Sequence, residues 1–301
     1  MSIKEEIQTR ITLIEDIINA RLIDTDGSSE DRQKQIYEAM NYSVLAGGKR
    51  LRPMLVLETA RLFGGKEEDT YDFLTAIELI HTYSLVHDDL PAMDNDEYRR
   101  GRKTTHVVYG EDLAILAGDA LLNYAYETGL NGVLQSGNPL QAAKALKILA
   151  DKAGVFGMVG GQTVDIISEN KVLDEETLNY INECKTSALI EAAMMMGAVL
   201  SGASEEELEL VERIGSRIGL AFQIKDDILD VTGTAEVLGK PVLSDEKNHK
   251  STYVTLLGIE RAQQKVQELT KSALDDLLTL RECTEDSFIW KLLNSLVSRE
   301  K

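Results

Sequence analysis

Helical periodicity runs through nearly the whole chain, and no stretch alternates apolar and polar residues as a half-buried strand does. Residues 3–22 place Ile7, Ile11, Ile14, Ile17 and Ile18 on one stripe at helical spacing. A break around Asp24, Gly27, Ser28 and Ser29 leads to a second helix near 31–45, closed by Gly47 and Gly48. Pro53 stands where the first turn of a third helix tolerates it. Further helices are predicted over 69–90, 110–134, 140–157, 175–201, 205–231, 251–280 and 284–298, joined by short connectors such as Gly64-Gly65 and Gly137-Asn138-Pro139. Only 4 Pro and 5% aromatic residues among 301 positions favour long helices over strands and turns. Residues 191–203 are apolar nearly all round, the pattern of a helix surrounded by others. These features predict an all-α fold, one large helical domain over residues 1–301.

The formal net charge of -19 argues against a nucleic-acid partner, because a phosphate backbone demands a basic face. It also repels small anions at long range, so a phosphate-bearing substrate would need local Lys and Arg groups plus bound cations. The 2 Cys, Cys184 and Cys283, show neither metal-ligand spacing nor a disulfide framework, and a reduced, cytoplasmic setting is expected. The first residues are polar and lack the apolar core of a signal peptide. No segment reaches the ~18–20 apolar residues that would span a bilayer.

Two aspartate clusters carry the chemistry. Asp88, Asp89 and Asp94 follow the apolar run AIELIHTYSLVH, and Pro91 between them should bend the chain and bring Asp94 back toward Asp88. Asp226, Asp227 and Asp230 follow IGLAFQI, with Asp226 and Asp230 on one helical face. Like charges this close repel, and burying them unpartnered costs several kcal/mol. A hard cation resolves the conflict, and magnesium suits carboxylates that give one or two oxygens each while waters and substrate phosphates complete an octahedron. One such cluster in a chain with 51 Asp plus Glu reads easily as a solvated face; two, each at the end of an apolar run, do not.

The basic residues are sparse and placed. Gly48, Lys49, Arg50, Leu51, Arg52 and Pro53 set three cations at the head of an apolar helix, either an anion site or an ordinary cationic loop. Arg99 and Arg100, just past the first cluster, either hold two diphosphates or neutralise the nearby carboxylates. His81 lies about two turns before Asp88, where a core histidine is the plain alternative. Lys185 and Thr186 interrupt an apolar helix, and Lys240 and Lys250 follow the second cluster within one loop. Residues 160–166 (GGQTVDI) add small residues and an amide where a polar group would face a cavity.

In this order and spacing, GGKRLRP, HDDLPAMDNDEYRRG, GGQ, KTSALIEAA and FQIKDDILDVTG resemble the trans-prenyl diphosphate synthase family, over about residues 42–258. The resemblance implies an isoprenoid synthase fold with helices around a central cavity, a homodimer, and a trio of magnesium ions per active site. It implies magnesium and allylic diphosphate binding at Asp88, Asp89, Asp94, Asp226, Asp227 and Asp230. It places isopentenyl diphosphate at Gly48, Lys49, Arg52, His81 and Arg100, and allylic diphosphate contacts at Arg99, Lys185, Lys240 and Lys250. Thr186 and Gln223 match polar groups beside a developing allylic cation. Leu243, Val254 and Lys103 depart from the family pattern, where glycine, proline and proline are common.

Product length should depend on what blocks the cavity below the first cluster. Tyr83 lies roughly 7–8 Å down the helix from Asp88, and Ser84 one turn below it. A bulky residue there, with Pro91-Ala92 inserted in the first motif, resembles bacterial-type farnesyl diphosphate synthases. Farnesyl diphosphate is the expected product and geranylgeranyl diphosphate the alternative. A class I terpene cyclase would lack the basic site of residues 48–52 and the second aspartate cluster, and a non-catalytic partner subunit would have lost aspartates or lysines that are present here.

Overall fold

Residues 2–24, 32–232 and 252–298 are described by a computed structural model. Helix α1 (Ile3–Asn19) opens on a capping box in which Ser2 and Glu5 satisfy each other's backbone amides. Its buried stripe of Ile14, Ile17 and Ile18 matches the predicted one. Helices α2 (Lys34–Val44) and α3 (Leu51–Leu62) follow, then a short 3-10 turn at Glu67–Thr70 and α4 (Tyr71–Asp88). A small antiparallel hairpin of β1 (Tyr98–Arg99) and β2 (Arg102–Lys103) leads through α5 (Thr105–Tyr109) to the long α6 (Glu111–Gln135). Then come α7 (Pro139–Ala153), α8 (Met158–Ile167) and α9 (Glu175–Asn182), which runs through a π turn at Glu183–Ser187 into α10 (Ala188–Leu200). The described chain closes with α11 (Glu205–Thr232), α12 (Tyr253–Leu257), α13 (Ile259–Leu277) and α14 (Phe288–Ser298).

Helix α10 is buried from Ala188 to Val199 without a break, as its all-round apolar sequence predicts. It packs on α3, α7 and α11, while α4 lies along α6 and α11 along α13. The all-α class and the central arrangement of helices therefore stand. Three predicted helices differ in detail. The one at 140–157 ends at Ala153 with Gly154 as its cap, and α8, which was not predicted, begins beyond Gly157. The one at 251–280 is cut at Gly258, whose φ of 79° is left-handed. The last starts at Phe288 because Thr284 and Ser287 close an exposed turn first. The hairpin was not predicted: Arg100 and Gly101 both adopt left-handed φ, at 54° and 76°, as a tight two-residue turn requires. Among the described residues no helix is long and apolar enough to cross a membrane.

Candidate functional site

The first aspartate group sits where α4 ends. The turn after it folds back as the proline bend predicts: the Asp94 amide donates to the Asp88 carbonyl at 2.9 Å, and the Asn95 amide to the Leu90 carbonyl at 3.1 Å. Asp88 accepts from Gln162 Nε2 at 2.6 Å, which fixes it across to α8. Asp89 turns inward, is buried, and accepts from Arg99 Nε at 2.7 Å. Burial pushes its carboxyl above the ordinary range, against the opposing pull of Arg99. One arginine of the Arg99-Arg100 pair thus serves the aspartate cluster.

Arg100 turns the other way. Its guanidinium donates to the Gly47 carbonyl and lies against Gly48, where an added Cβ would fall 2.6 Å from Cζ, and the φ of 134° at Gly48 favours glycine there. Arg52 and His81 share this corner. Burial, with Arg100 adding to it and Glu78 opposing, lowers Arg52 to about 10. Burial and then Arg52, Arg100, Arg99 and Arg50 hold the His81 imidazole well below its usual range, so it is neutral near pH 7. Arg52 Nε is a buried donor with no hydrogen-bond partner, a costly arrangement that an arriving anion would relieve. Arg50 corrects the sequence reading of three cations at one helix head. It is buried, donates to Glu78 Oε1 at 2.7 Å and to the Val44 carbonyl at 2.8 Å, and braces the loop from beneath. Lys49 stays exposed.

Lys185 and Thr186 lie in the π turn, a conformation that collects at functional sites. Gly161 of α8 makes the turn possible: a Cβ there would meet the Lys185 amide nitrogen at 2.4 Å. Lys185 Nζ donates to Asp165 Oδ2 at 2.7 Å. Thr186 Oγ1 donates to Gln223 Oε1 at 3.0 Å, and Gln223 Nε2 to Asp227 Oδ1 at 3.1 Å. The other oxygen of Asp227 accepts the Tyr253 amide at 3.0 Å. A chain of hydrogen bonds therefore runs from the π turn to the second aspartate cluster on α11, where Asp230 is also buried and Asp226 half-buried.

Between these groups lies a cavity of about 340 Å³. Arg52, His81, Asp88, Gln162, Lys185 and Thr186 give it a polar side, and Tyr83, Met158, Ile166 and Leu189 an apolar one. Ser84 is in the wall, its hydroxyl bonded to the His81 carbonyl at 2.9 Å. A neighbouring polar cavity of about 170 Å³ also touches Lys185 and Thr186 and reaches Gln223 and Asp227. The π turn thus borders both. Lys240 and Lys250, like Leu243, lie outside the described residues.

Among the described residues no three carboxylate, histidine or cysteine ligands converge as a closed metal cage. What the two helices offer is hard oxygens a few at a time, which fits magnesium held by one or two carboxylates with phosphate oxygens and water. The sequence reading missed the partners that aim the key groups: Asp165 under Lys185, Glu78 under Arg50 and the Tyr253 amide on Asp227. None carries a local signal, because each becomes a neighbour only through packing. Gln162 was visible only as an amide in a glycine-rich stretch.

Comparison with known proteins agrees with this arrangement. The polyprenyl synthetase family matches residues 33–286. The chain is 42% identical over 295 residues to farnesyl diphosphate synthase of Micrococcus luteus, covering 98% of this chain and 100% of that one. It is 47% identical over 247 residues to geranylgeranyl diphosphate synthase of Cyanophora paradoxa, 81% of each chain. Among solved structures it resembles a Helicobacter pylori geranyltransferase complexed with magnesium and isoprenyl diphosphate, with a TM-score of 0.81 and 34% identity over 99% of this chain and 97% of that one. Helices around a two-sided cavity, paired aspartate groups and a family match across most of the length lead to one conclusion: the chain belongs to the polyprenyl synthetase family, a family of prenyltransferases.

Proposed function

We propose that this trans-prenyl diphosphate synthase condenses isopentenyl diphosphate with dimethylallyl and then geranyl diphosphate, releasing farnesyl diphosphate. The observation that carries this reading is one cavity with cations and a carboxylate on one side and a buried tyrosine in its apolar wall. Arg52, His81 and Arg100 form a station for isopentenyl diphosphate that needs no metal, since the buried Arg52 Nε already lacks a partner. Gly48 admits the Arg100 guanidinium, and Lys49 adds positive charge at the entrance.

Asp88, Asp89, Asp94, Asp226, Asp227 and Asp230 would hold magnesium, which would neutralise the charge of the departing allylic diphosphate. Of these, Arg99 orients Asp89, while Gln223 and the Tyr253 amide orient Asp227. Lys185 adds positive charge for the same diphosphate, and the family resemblance assigns the same role to Lys240 and Lys250, which lie outside the described residues. Thr186 and Gln223 present oxygens near the allylic carbon that becomes cationic. The isopentenyl double bond attacks that carbon, and the released diphosphate takes the proton. The apolar wall keeps water from quenching the cation.

Tyr83 and Ser84 bound the space left for the growing chain. Burial, with Tyr126 adding, raises Tyr83 to about 12, so it stays a neutral wall. The geranylgeranyl reading is favoured by the Cyanophora relative, and product sizing separates the two. Incubation with isopentenyl and dimethylallyl diphosphates and magnesium should give mainly the fifteen-carbon product. A dominant twenty-carbon product would replace the farnesyl assignment, and no product would remove the synthase reading. Exposed Ile115, Leu116, Leu130 and Leu134 along α6 suit a second copy of the chain, as in a homodimer.

A further inference from the structure

The face of α4 that looks toward α6 carries Tyr83 and His87, one turn apart. Both side chains line the cavity, and their rings meet edge to face with centroids 6.0 Å apart and planes at 77°. His87 is held from the far side: its Nε2 lies 3.1 Å from the Ile115 carbonyl oxygen and 3.8 Å from Asp119 Oδ1, both on α6. The imidazole fills the space that a side chain at position 118 would occupy. A Cβ added to Gly118 would stand 2.0 Å from His87 Nε2 and 2.3 Å from its Cδ2. Glycine weakens a helix interior, and Gly118 lies buried well inside the 25-residue α6. The slot it leaves for His87 is a physical reason for a glycine there.

We propose that His87, seated in the Gly118 slot, is a positioning residue for chain termination: it backs the Tyr83 ring and so sets how far the growing prenyl chain extends. Tyr83 alone is a side chain that can turn about two torsions, and a stop is only as sharp as the ring's orientation is fixed. On the α6 side, the Ile115 carbonyl and the Gly118 slot fix the imidazole, and the imidazole edge limits the Tyr83 ring. The inference rests on the chain-elongating reading above and deepens it from one wall residue to a three-residue device spanning two helices.

The ratio of longer to shorter products is the readout, because a general loss of stability or rate does not move it in a set direction. His87→Ala frees the Tyr83 ring and should raise the ratio severalfold, in the direction of Tyr83→Ala. Gly118→Ala pushes the imidazole toward Tyr83 and should lower it. The double variant His87→Ala with Gly118→Ala has no ring to displace and should behave as His87→Ala. Parental ratios from both single variants overturn the proposal. If Gly118→Ala does not fold, the double variant decides, and a parental ratio there overturns it equally. A parent chain that forms no condensation product sinks the functional reading and this inference together, whereas a condensing parent whose ratio ignores His87 sinks this inference alone.

Discussion

On the proposed reading, Arg52 trades stability for binding. Its guanidinium is lowered to about 10 by burial, so the folded chain holds that proton less firmly than the unfolded one does. Below about pH 10 the buried charge opposes folding, and the penalty fades as pH rises from there toward the ordinary arginine range. Replacing Arg52 by Met should therefore stabilise the free protein at neutral pH, by about 1–3 kcal/mol, while raising KM for isopentenyl diphosphate at least tenfold. Thermal melting and initial rates check the two halves separately; an Arg52→Met variant that is less stable would contradict the account. The same shift predicts that kcat/KM for isopentenyl diphosphate falls as pH passes upward through about 10, where the free enzyme loses this cation. His81 adds no inflection in the usual histidine range, because burial and its arginine neighbours keep it neutral there.

Among the elements, the π turn at Glu183–Ser187 shows what the sequence can and cannot carry. Helical periodicity marks 175–201 as one helix, and both flanks are indeed helical. Periodicity does not report one extra residue in a turn, since the flanking stripes stay apolar on both sides. The signal lies in contacts distant in sequence: Gly161 approaching the Lys185 amide, and Thr186 meeting Gln223. The aspartates were legible for the opposite reason, because charges after an apolar run conflict with local packing and call for a partner. Likewise Pro91 announced the bend that returns Asp94 to Asp88. The inward turn of Arg50 was not legible, because its partner Glu78 is 28 residues away on another helix. Gly161→Ala should displace the π turn and lower kcat by about 10²-fold with helix content unchanged by circular dichroism. A variant with parental kcat would show that the turn tolerates the shift.

For the whole molecule, two features matter beyond the site. One is the exposed apolar row on α6, where Leu134 is 81% exposed. If this row forms the proposed homodimer interface, the parent should sediment as a dimer and Leu116→Glu with Leu134→Glu as a monomer; a monomeric parent would contradict the dimer, and an unchanged dimer would put its interface elsewhere. The other is the proposed use of the cavity region as two diphosphate stations, one on the carboxylates and one on Arg52, His81 and Arg100, of which Arg52 and His81 line the cavity. A net charge of -19 means that each proposed station must supply its own local positive charge, because the molecule as a whole repels both anions. The direct test is calorimetric titration of isopentenyl diphosphate and of a non-ionisable thiolo analogue of geranyl diphosphate, each with magnesium and with a chelator. Isopentenyl diphosphate should bind in both conditions and lose affinity in Arg52→Met, while the allylic analogue should bind only with magnesium. Magnesium-dependent binding of isopentenyl diphosphate, or chelator-resistant binding of the allylic analogue, would contradict the two-station account.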